Sequence, residues 1–341
     1  MNRWVVAILP VFVVGLWGSS FTLIALALRS FTPLDLMVLR FGMAAVCYVV
    51  LLGFRVIRFV PIERQDWPRF LAMTAALVIG YNVFLTTAQV HLPANLAILV
   101  GQAAPVLVLL IERLATGSFQ VGRPGVALGT WLIGTLIVLH NFTKNLTVAG
   151  GWPLGMLCLT PLAMASYMVL ARPLVQRYGG ANICAQMFVT GGVGLAISLA
   201  WRPTFWAQVG GATTESLVAV GVLVGCTTVL AYTLWFALLR VLGASAVAGY
   251  LNLVPVTGCA LAALVLQETL SAQALVGGVL VVLGCGLSTT RREPDNDEPE
   301  YADEPEVNDK TKNSCDKAAR LFGLDDSSTY PVRFSSYDRS S

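Results

Sequence analysis

Ten runs of nearly uncharged residues, each about as long as a helix needs to cross hydrocarbon, follow one another through the first 290 residues. A helix rises about 1.5 Å per residue, so about 20 apolar residues cover a hydrocarbon core of roughly 30 Å. The runs lie at 4–28, 34–54, 67–88, 93–114, 124–140, 152–172, 181–200, 216–238, 244–267 and 272–289. They are continuous rather than alternating, which excludes membrane strands, whose lipid-facing side chains recur at every second position. Short loops between the runs leave no room for a soluble domain. Charged residues make up 12% of the chain, against about 25% in soluble domains. The first run follows Arg3 and resembles a secretory signal, but its length and the lack of a cleavage site after a short apolar core make it a first span. The expected fold class is an all-α membrane protein with ten transmembrane helices.

Basic residues set the orientation of such a chain. With the N-terminus inside, the cytoplasmic ends hold Arg3, Arg55, Arg58, Arg64, Arg69, Arg113, Arg123, Arg172, Arg177, Arg240, Arg291 and Arg292, whereas the outer ends hold only Arg29, Lys144 and Arg202. Both termini are therefore expected in the cytoplasm. The chain also repeats itself. An offset of 150 residues takes Asn95 to Ser245, Gln102 to Asn252, Pro105 to Pro255, Gly134 to Gly284 and Asn82 to Tyr232. Each repeat holds five spans, an odd number, so the second copy is inverted relative to the first. Inverted repeats place a substrate site at their interface near the midplane, the architecture of secondary transporters. The predicted units are 1–144, 150–292 and a tail, 293–341.

Pro105 and Pro255 fall half way along their spans, each three residues after an amide. Proline removes a backbone donor and displaces the carbonyl four residues earlier, which is tolerated at that depth only where the backbone is buried or lines a cavity. They are the expected hinges. Asn95 and Gln102 share one helix face, as do Ser245, Gly249 and Asn252; further stripes comprise Asn82, Thr86 and Gln89, and Thr228, Tyr232 and Trp235. Trp17, Asn82, Gln102, Tyr167, Tyr232 and Asn252 are the expected substrate-binding residues. The alternative for each polar side chain is hydrogen bonding between helices, about 0.6 kcal/mol apiece.

Arg40 lies about six residues into the second span, deep enough to need a partner or water. Arg29, Asp35, His91 and Glu268 fall near the same outer edge, so Arg40 is expected either in an outer ion-pair network or, with Glu268, as a gate. No carboxylate occupies the midplane, which disfavours a strongly cationic substrate. The glycine pairs Gly125–Gly129 and Gly221–Gly225 fit the small-xxx-small pattern of close helix contact. Six of seven cysteines sit inside spans without CxxC spacing and read as packing residues, and two histidines at span ends supply no metal ligand set. Hydrolase, metalloprotease and phosphate-loop motifs are missing, so the chain is expected to be no enzyme and to need no cofactor.

Beyond Arg292 the composition changes to EPDNDEPEYADEPEVNDK and on to Ser341, a 49-residue segment with 13 acidic and 6 basic residues. Such a segment cannot bury a core and is expected to be disordered in the cytoplasm, with docking of a partner protein as a candidate role.

Across residues 1–290 these features together resemble the EamA group of the drug/metabolite transporter superfamily. The resemblance rests on LWGSSF at Leu16 to Phe21, on the Pro33 to Arg40 spacing with RFGMA, and on two related runs. These are PANLAILVGQAAPVLVLL and GASAVAGYLNLVPVTGCALAALVLQETLSAQALVGGVLVVLG. The first run departs at Ser118, where the offset from Glu268 would place a glutamate, and Glu112 comes six residues early. The resemblance implies a multi-pass permease of the plasma (inner) membrane that exports amino acids or related small neutral or zwitterionic metabolites by alternating access. Its partners would be the substrate, the lipid bilayer and a proton gradient as a candidate driving force, with no nucleic acid. From a different class, the alternative is a membrane-embedded receptor or scaffold acting through its acidic tail.

Overall fold

The computed structural model describes residues 3–104, 106–108, 110–111, 123–143, 151–242, 249–269 and 271–289; Pro105, Ser245 and the tail lie outside them. Every regular element among the described residues is helical. Helix α1 is Arg3–Ala27, α2 Pro33–Gly53, α3 Arg64–Gln89, α4 Ala94–Gly101, α5 Arg123–Thr143, α6 Trp152–Tyr178, α7 Gly180–Trp201, α8 Thr214–Leu238, α9 Val254–Leu266 and α10 Ala272–Thr289. Six of these are long and apolar enough to cross a membrane, and α4, α5, α9 and α10 form shorter apolar segments. A short helix, Phe205–Gly211, links α7 to α8.

Large apolar side chains point outward all along the helices: Val46, Leu136, Val193 and Leu264 are each more than half exposed. An apolar surface this extensive would aggregate in water and matches lipid instead. The interior is packed around two centres, one where α1, α4 and α8 meet (Phe21, Leu96, Ile98, Leu223) and one where α2 and α7 meet (Phe41, Tyr48, Phe188).

Small residues permit the closest approaches. A Cβ on Gly134 of α5 would lie 2.7 Å from the carbonyl oxygen of Gly277 on α10, and one on Gly18 of α1 would lie 2.8 Å from the amide nitrogen of Gly258 on α9. The predicted glycine pairs are not the contact points. Gly129, Gly221 and Gly225 have open space where a Cβ would go, because they lie on faces turned away from neighbouring helices. Spacing alone does not say which face a helix buries.

Two helices depart from α geometry at comparable places. Residues Ala75–Tyr81 of α3 and Leu223–Leu230 of α8 are wound as π-helix. A π turn puts the five-residue neighbour within reach of a carbonyl, and polar side chains take up that position here. Asn82 Nδ2 donates to the Leu77 carbonyl at 2.8 Å. The Thr228 hydroxyl, five residues on, donates to the Leu223 carbonyl at 2.8 Å, and that of Thr227, four residues on, joins it at 2.8 Å. π segments of this kind concentrate at functional sites.

The span before α9 is interrupted too. Residues Gly249–Leu253 form a 3₁₀ turn, and α9 starts only at Val254, with Pro255 in its first turn. Proline is tolerated there because a first-turn amide has no intrahelical acceptor to lose. Helix α4 ends at Gly101 with Gln102 as its C-cap. Gln102 and Asn252 thus both stand at breaks, and Pro255 lies in the first turn of the helix that follows the second.

Polar clusters close the two ends of the bundle. At one, Arg202 donates from Nε and Nη2 to both oxygens of the fully buried Asp35, the Nη2 bond measuring 2.7 Å, and from Nη2 to Thr32 Oγ1 at 2.8 Å. The Asp35 bond holds the Arg202 pKa above its usual value. Arg29 pairs with Glu215 at 3.1 Å beside it. At the other end Arg177 bridges Glu63 at 2.6 Å and Asp66 at 2.9 Å, and Asn182 pairs with the backbone of Val60 in both directions.

Candidate functional site

Between these ends lies an aromatic wall. Trp17 on α1 meets Tyr232 on α8 edge-on with centroids 5.3 Å apart, and Trp235 one turn further at 4.9 Å. Phe188 on α7 continues it, 5.1 Å from Tyr232 and stacked on Tyr48 and Phe41 of α2 at 5.4 and 5.9 Å. Tyr167 on α6 packs against the same buried cluster as Tyr232, which includes Phe188 and Cys184. Three of the six predicted substrate residues, Trp17, Tyr167 and Tyr232, therefore gather at one place.

The other three serve the breaks. Asn82 is buried with its amide nitrogen on the π segment of its own helix. Gln102 caps α4, and its carbonyl accepts from Cys285 Sγ on α10 at 3.0 Å. Asn252 sits half-buried in the 3₁₀ turn before α9.

Arg40 stands apart from the outer ion pairs. It is 9% exposed, and its Nε donates to Thr228 Oγ1 at 3.0 Å while Nη2 reaches Thr227 Oγ1 at 3.5 Å. Both hydroxyls give their own hydrogens to Leu223, so their lone pairs are free to accept from the guanidinium. Tyr81 and Tyr232 lie within its electrostatic reach, and the Phe41 ring centre is 5.2 Å from Cζ. Among the described residues no carboxylate pairs with it. The outer network forms without it because Asp35, the acid one turn and a half earlier, is taken by Arg202.

Glu268 belongs to a separate device. Gln267 ends α9 in the left-handed region (φ 56°), which turns the chain so that Glu268 faces the start of α4. Its two carboxylate oxygens accept from the amides of Ala94 and Asn95 at 2.8 and 2.9 Å. Negative charge is favourable there, because a helix N-terminus presents unsatisfied amides and a positive dipole end. Asn95 itself is 1% exposed, and both polar atoms of its side chain lack a hydrogen-bond partner, as do Trp17 Nε1, Thr22 Oγ1 and Gln89 Oε1. Buried polar atoms in folded proteins are usually paired, so these mark sites where the interior is incompletely satisfied.

Sequence reasoning missed Thr227, Tyr48, Tyr81 and Phe188. Tyr48 and Tyr81 offered a hydroxyl inside an apolar run as a signal; Phe188 offered none, since an aromatic residue in such a run reads as packing. A cleft of about 370 Å³ opens beside α2 and α3, lined by Thr32, Pro33, Met37, Val83, Thr87 and Arg202. No cluster of three or more metal-ligating side chains occurs among the described residues.

Apolar helices around a polar and aromatic interior define a multi-pass membrane protein. The EamA-like transporter family model matches residues 151–290. An uncharacterized transporter of Archaeoglobus fulgidus is 24% identical over 86% of this chain and all of its own length. The "Probable terminal-alkyne amino-acid exporter" of Streptantibioticus cattleyicolor is 26% identical over 81% of this chain and 90% of its own. The "Probable amino-acid metabolite efflux pump" of Escherichia coli is 26% identical over 81% and 92%. A crystal structure with 20% identity superposes at a TM-score of 0.56 over 84% of this chain and 97% of that one, a likeness of fold. Residues 151–290 thus match the EamA-like transporter family, and over most of its length the chain is similar to proteins described as transporters and efflux pumps.

Proposed function

We propose that this transporter moves small neutral or zwitterionic organic metabolites, amino acids or their relatives, outward across the plasma membrane by alternating access. The observation that carries the reading is the matched pair of interruptions. The π segments of α3 and α8 and the breaks at Gln102 and Asn252 recur about 150 residues apart. This supports ten spans arranged as two inverted repeats, 1–144 and 150–292, followed by the cytoplasmic tail 293–341. The packing agrees, since α2 lies along α7 and α5 along α10, each helix against its own counterpart. The amino-acid exporter names of the relatives support the substrate class.

Trp17, Tyr167 and Tyr232 form the wall of the substrate cavity in this reading, while Asn82, Gln102 and Asn252 line or shape its approaches. Pro105 and Pro255 mark the hinges, and Arg40 and Glu268 control access. A proton gradient drives the outward step. The test is uptake of labelled amino acids and neutral metabolites into proteoliposomes of the purified protein, with and without an imposed proton gradient. Gradient-dependent accumulation that falls in Gln102→Leu and Asn252→Leu variants is the expected result. Absence of any flux above protein-free liposomes overturns it.

A further inference from the structure

Among the described residues the Arg40 guanidinium is a buried charge without a counter-ion. Its position on α2, seven residues beyond Pro33, puts its Cα about 10 Å below that end of the helix. Its reach carries the charge further in, to Thr227 and Thr228 at the π segment of α8. Every described partner is neutral: two hydroxyls, the Phe41 ring and two phenols within electrostatic reach. Guanidinium carries five N–H donors in a planar fork that suits a carboxylate, and it stays charged even when desolvated. Two donors are occupied here, and none of the described hydrogen bonds uses Nη1.

A buried charge without a counter-ion is costly, and a partner that brings the opposite charge recovers most of that cost. The acids of the bundle with described partners are engaged elsewhere, Glu63 and Asp66 by Arg177 and Glu215 by Arg29. Asp35 is held by Arg202 and Glu268 by the amides of α4. The cleft beside α2 and α3 has Met37 in its lining, three residues before Arg40 and on the same helix face. The aromatic wall provides the apolar complement, because the Phe41 ring beside the guanidinium stacks on Phe188, which meets Tyr232, which in turn meets Trp17.

We infer that Arg40, beyond the access role given above, is the binding site for the carboxylate of the substrate, and that within the zwitterionic class it is the carboxylate with an apolar or aromatic body that is recognised, so that simple carboxylic acids are taken as well. Among the described residues no acidic side chain is hydrogen-bonded to Trp17, Tyr167 or Tyr232, so the inference places the binding energy on the carboxylate and not on an α-amino group. This deepens the transport reading above and rests on it for the word substrate, but the binding site can be tested without flux.

The experiment uses the full chain in nanodiscs with four probes that share one skeleton: 3-phenylpropanoate, phenylalanine, 3-phenylpropanamide and 2-phenylethylamine. Binding is read from intrinsic tryptophan fluorescence, since Trp17 adjoins Tyr232, and from ligand-induced thermal stabilisation. The expected result is binding of both carboxylates, with the amide and the amine at least about tenfold weaker, which is about 1.4 kcal/mol. Arg40→Gln keeps a hydrogen bond to the threonines and should lose that advantage, while Arg40→Lys should retain part of it. Both variants must elute and melt as folded proteins. If Arg40→Gln does not, Thr228→Val, which loosens the guanidinium without removing it, is measured instead and should weaken carboxylate binding alone. Equal binding of the amine, unaltered carboxylate affinity in Arg40→Gln, or no carboxylate binding overturns the inference. Arg40-dependent binding without flux would sink the transport reading and leave the site standing; flux of the amide that ignores Arg40 would do the reverse.

Discussion

Glu268 ties the chain beyond α9 to the start of α4, and its removal has a calculable cost. Glu268→Ala leaves the Ala94 and Asn95 amides, 2.8 and 2.9 Å from the carboxylate, without an acceptor. Each orphaned donor costs about 1–3 kcal/mol, with the low end applying where water can enter. Glu268 is half-buried, so the expected loss is about 2–3 kcal/mol in total. Glu268→Gln keeps one acceptor oxygen but forfeits the second bond and the attraction between charge and helix dipole, for about 1–2 kcal/mol. Glu268→Asp is one methylene short of both amides and should fall between parent and Ala. Unfolding in mixed micelles, followed by tryptophan fluorescence, should rank the variants parent, Gln, Ala in decreasing stability. An Ala variant within about 0.5 kcal/mol of the parent, the spread of ordinary surface substitutions, would refute the cap. So would a Gln variant as unstable as Ala, because that ordering leaves no role for the retained oxygen.

Gly134→Ala should destabilise by about 2 kcal/mol or more because its Cβ meets the Gly277 carbonyl, whereas Gly129→Ala, with open space around it, should stay within about 0.5 kcal/mol; equal melting of the two would show that α5 and α10 yield. Asn82→Leu removes the bond to Leu77 and should cost about 1–2 kcal/mol in the same unfolding assay, and an unchanged stability would mean that the π segment satisfies its carbonyl otherwise. A cysteine placed at Lys144 in a cysteine-free background should react with an impermeant maleimide added to whole cells, while one at Arg64 should not; the opposite pattern reverses the topology. Truncation after Arg292 should leave flux in proteoliposomes intact, and its loss would favour the scaffold reading in which the acidic tail is the working part.

The long apolar runs were readable because burial in lipid demands one property of every residue in a span, so composition alone reveals them. The breaks at Gln102 and Asn252 were readable through Pro105 and Pro255, since proline constrains the backbone locally. Pro255 stands in the first turn of α9, at its junction with the 3₁₀ turn; the sequence shows that an amide bond is missing its donor but not which side of the break the helix resumes on. The π segments left no trace, because their widening is stabilised by side chains such as Asn82 and Thr228 whose own helical position looks ordinary. Arg40 was visible as a problem, yet its partners lie 187 and 188 residues away in Thr227 and Thr228. Pairing over such distances is a property of the packed bundle. The same holds for the glycines: Gly134 and Gly277 matter through each other, and no spacing rule along one helix encodes the neighbour.

That separation between Arg40 and its threonines also bears on how the protein is made. Helix α2 leaves the ribosome and enters the bilayer while α8 has yet to be synthesised. A lone arginine near the centre of a helix raises the insertion free energy by about 2.5–3.5 kcal/mol, less when its side chain can bend back to the nearer headgroups. The remaining residues of Pro33–Gly53 include no other basic side chain, and their hydrophobicity has to carry the segment in. Arg40 then waits at the lipid or protein-conducting boundary until Thr227 and Thr228 arrive, so the early membrane intermediate holds an exposed cation that the finished bundle hides. Quality control that recognises unassembled polar spans would act in that interval, and a variant such as Thr228→Val should be degraded faster from newly made chains than from mature ones.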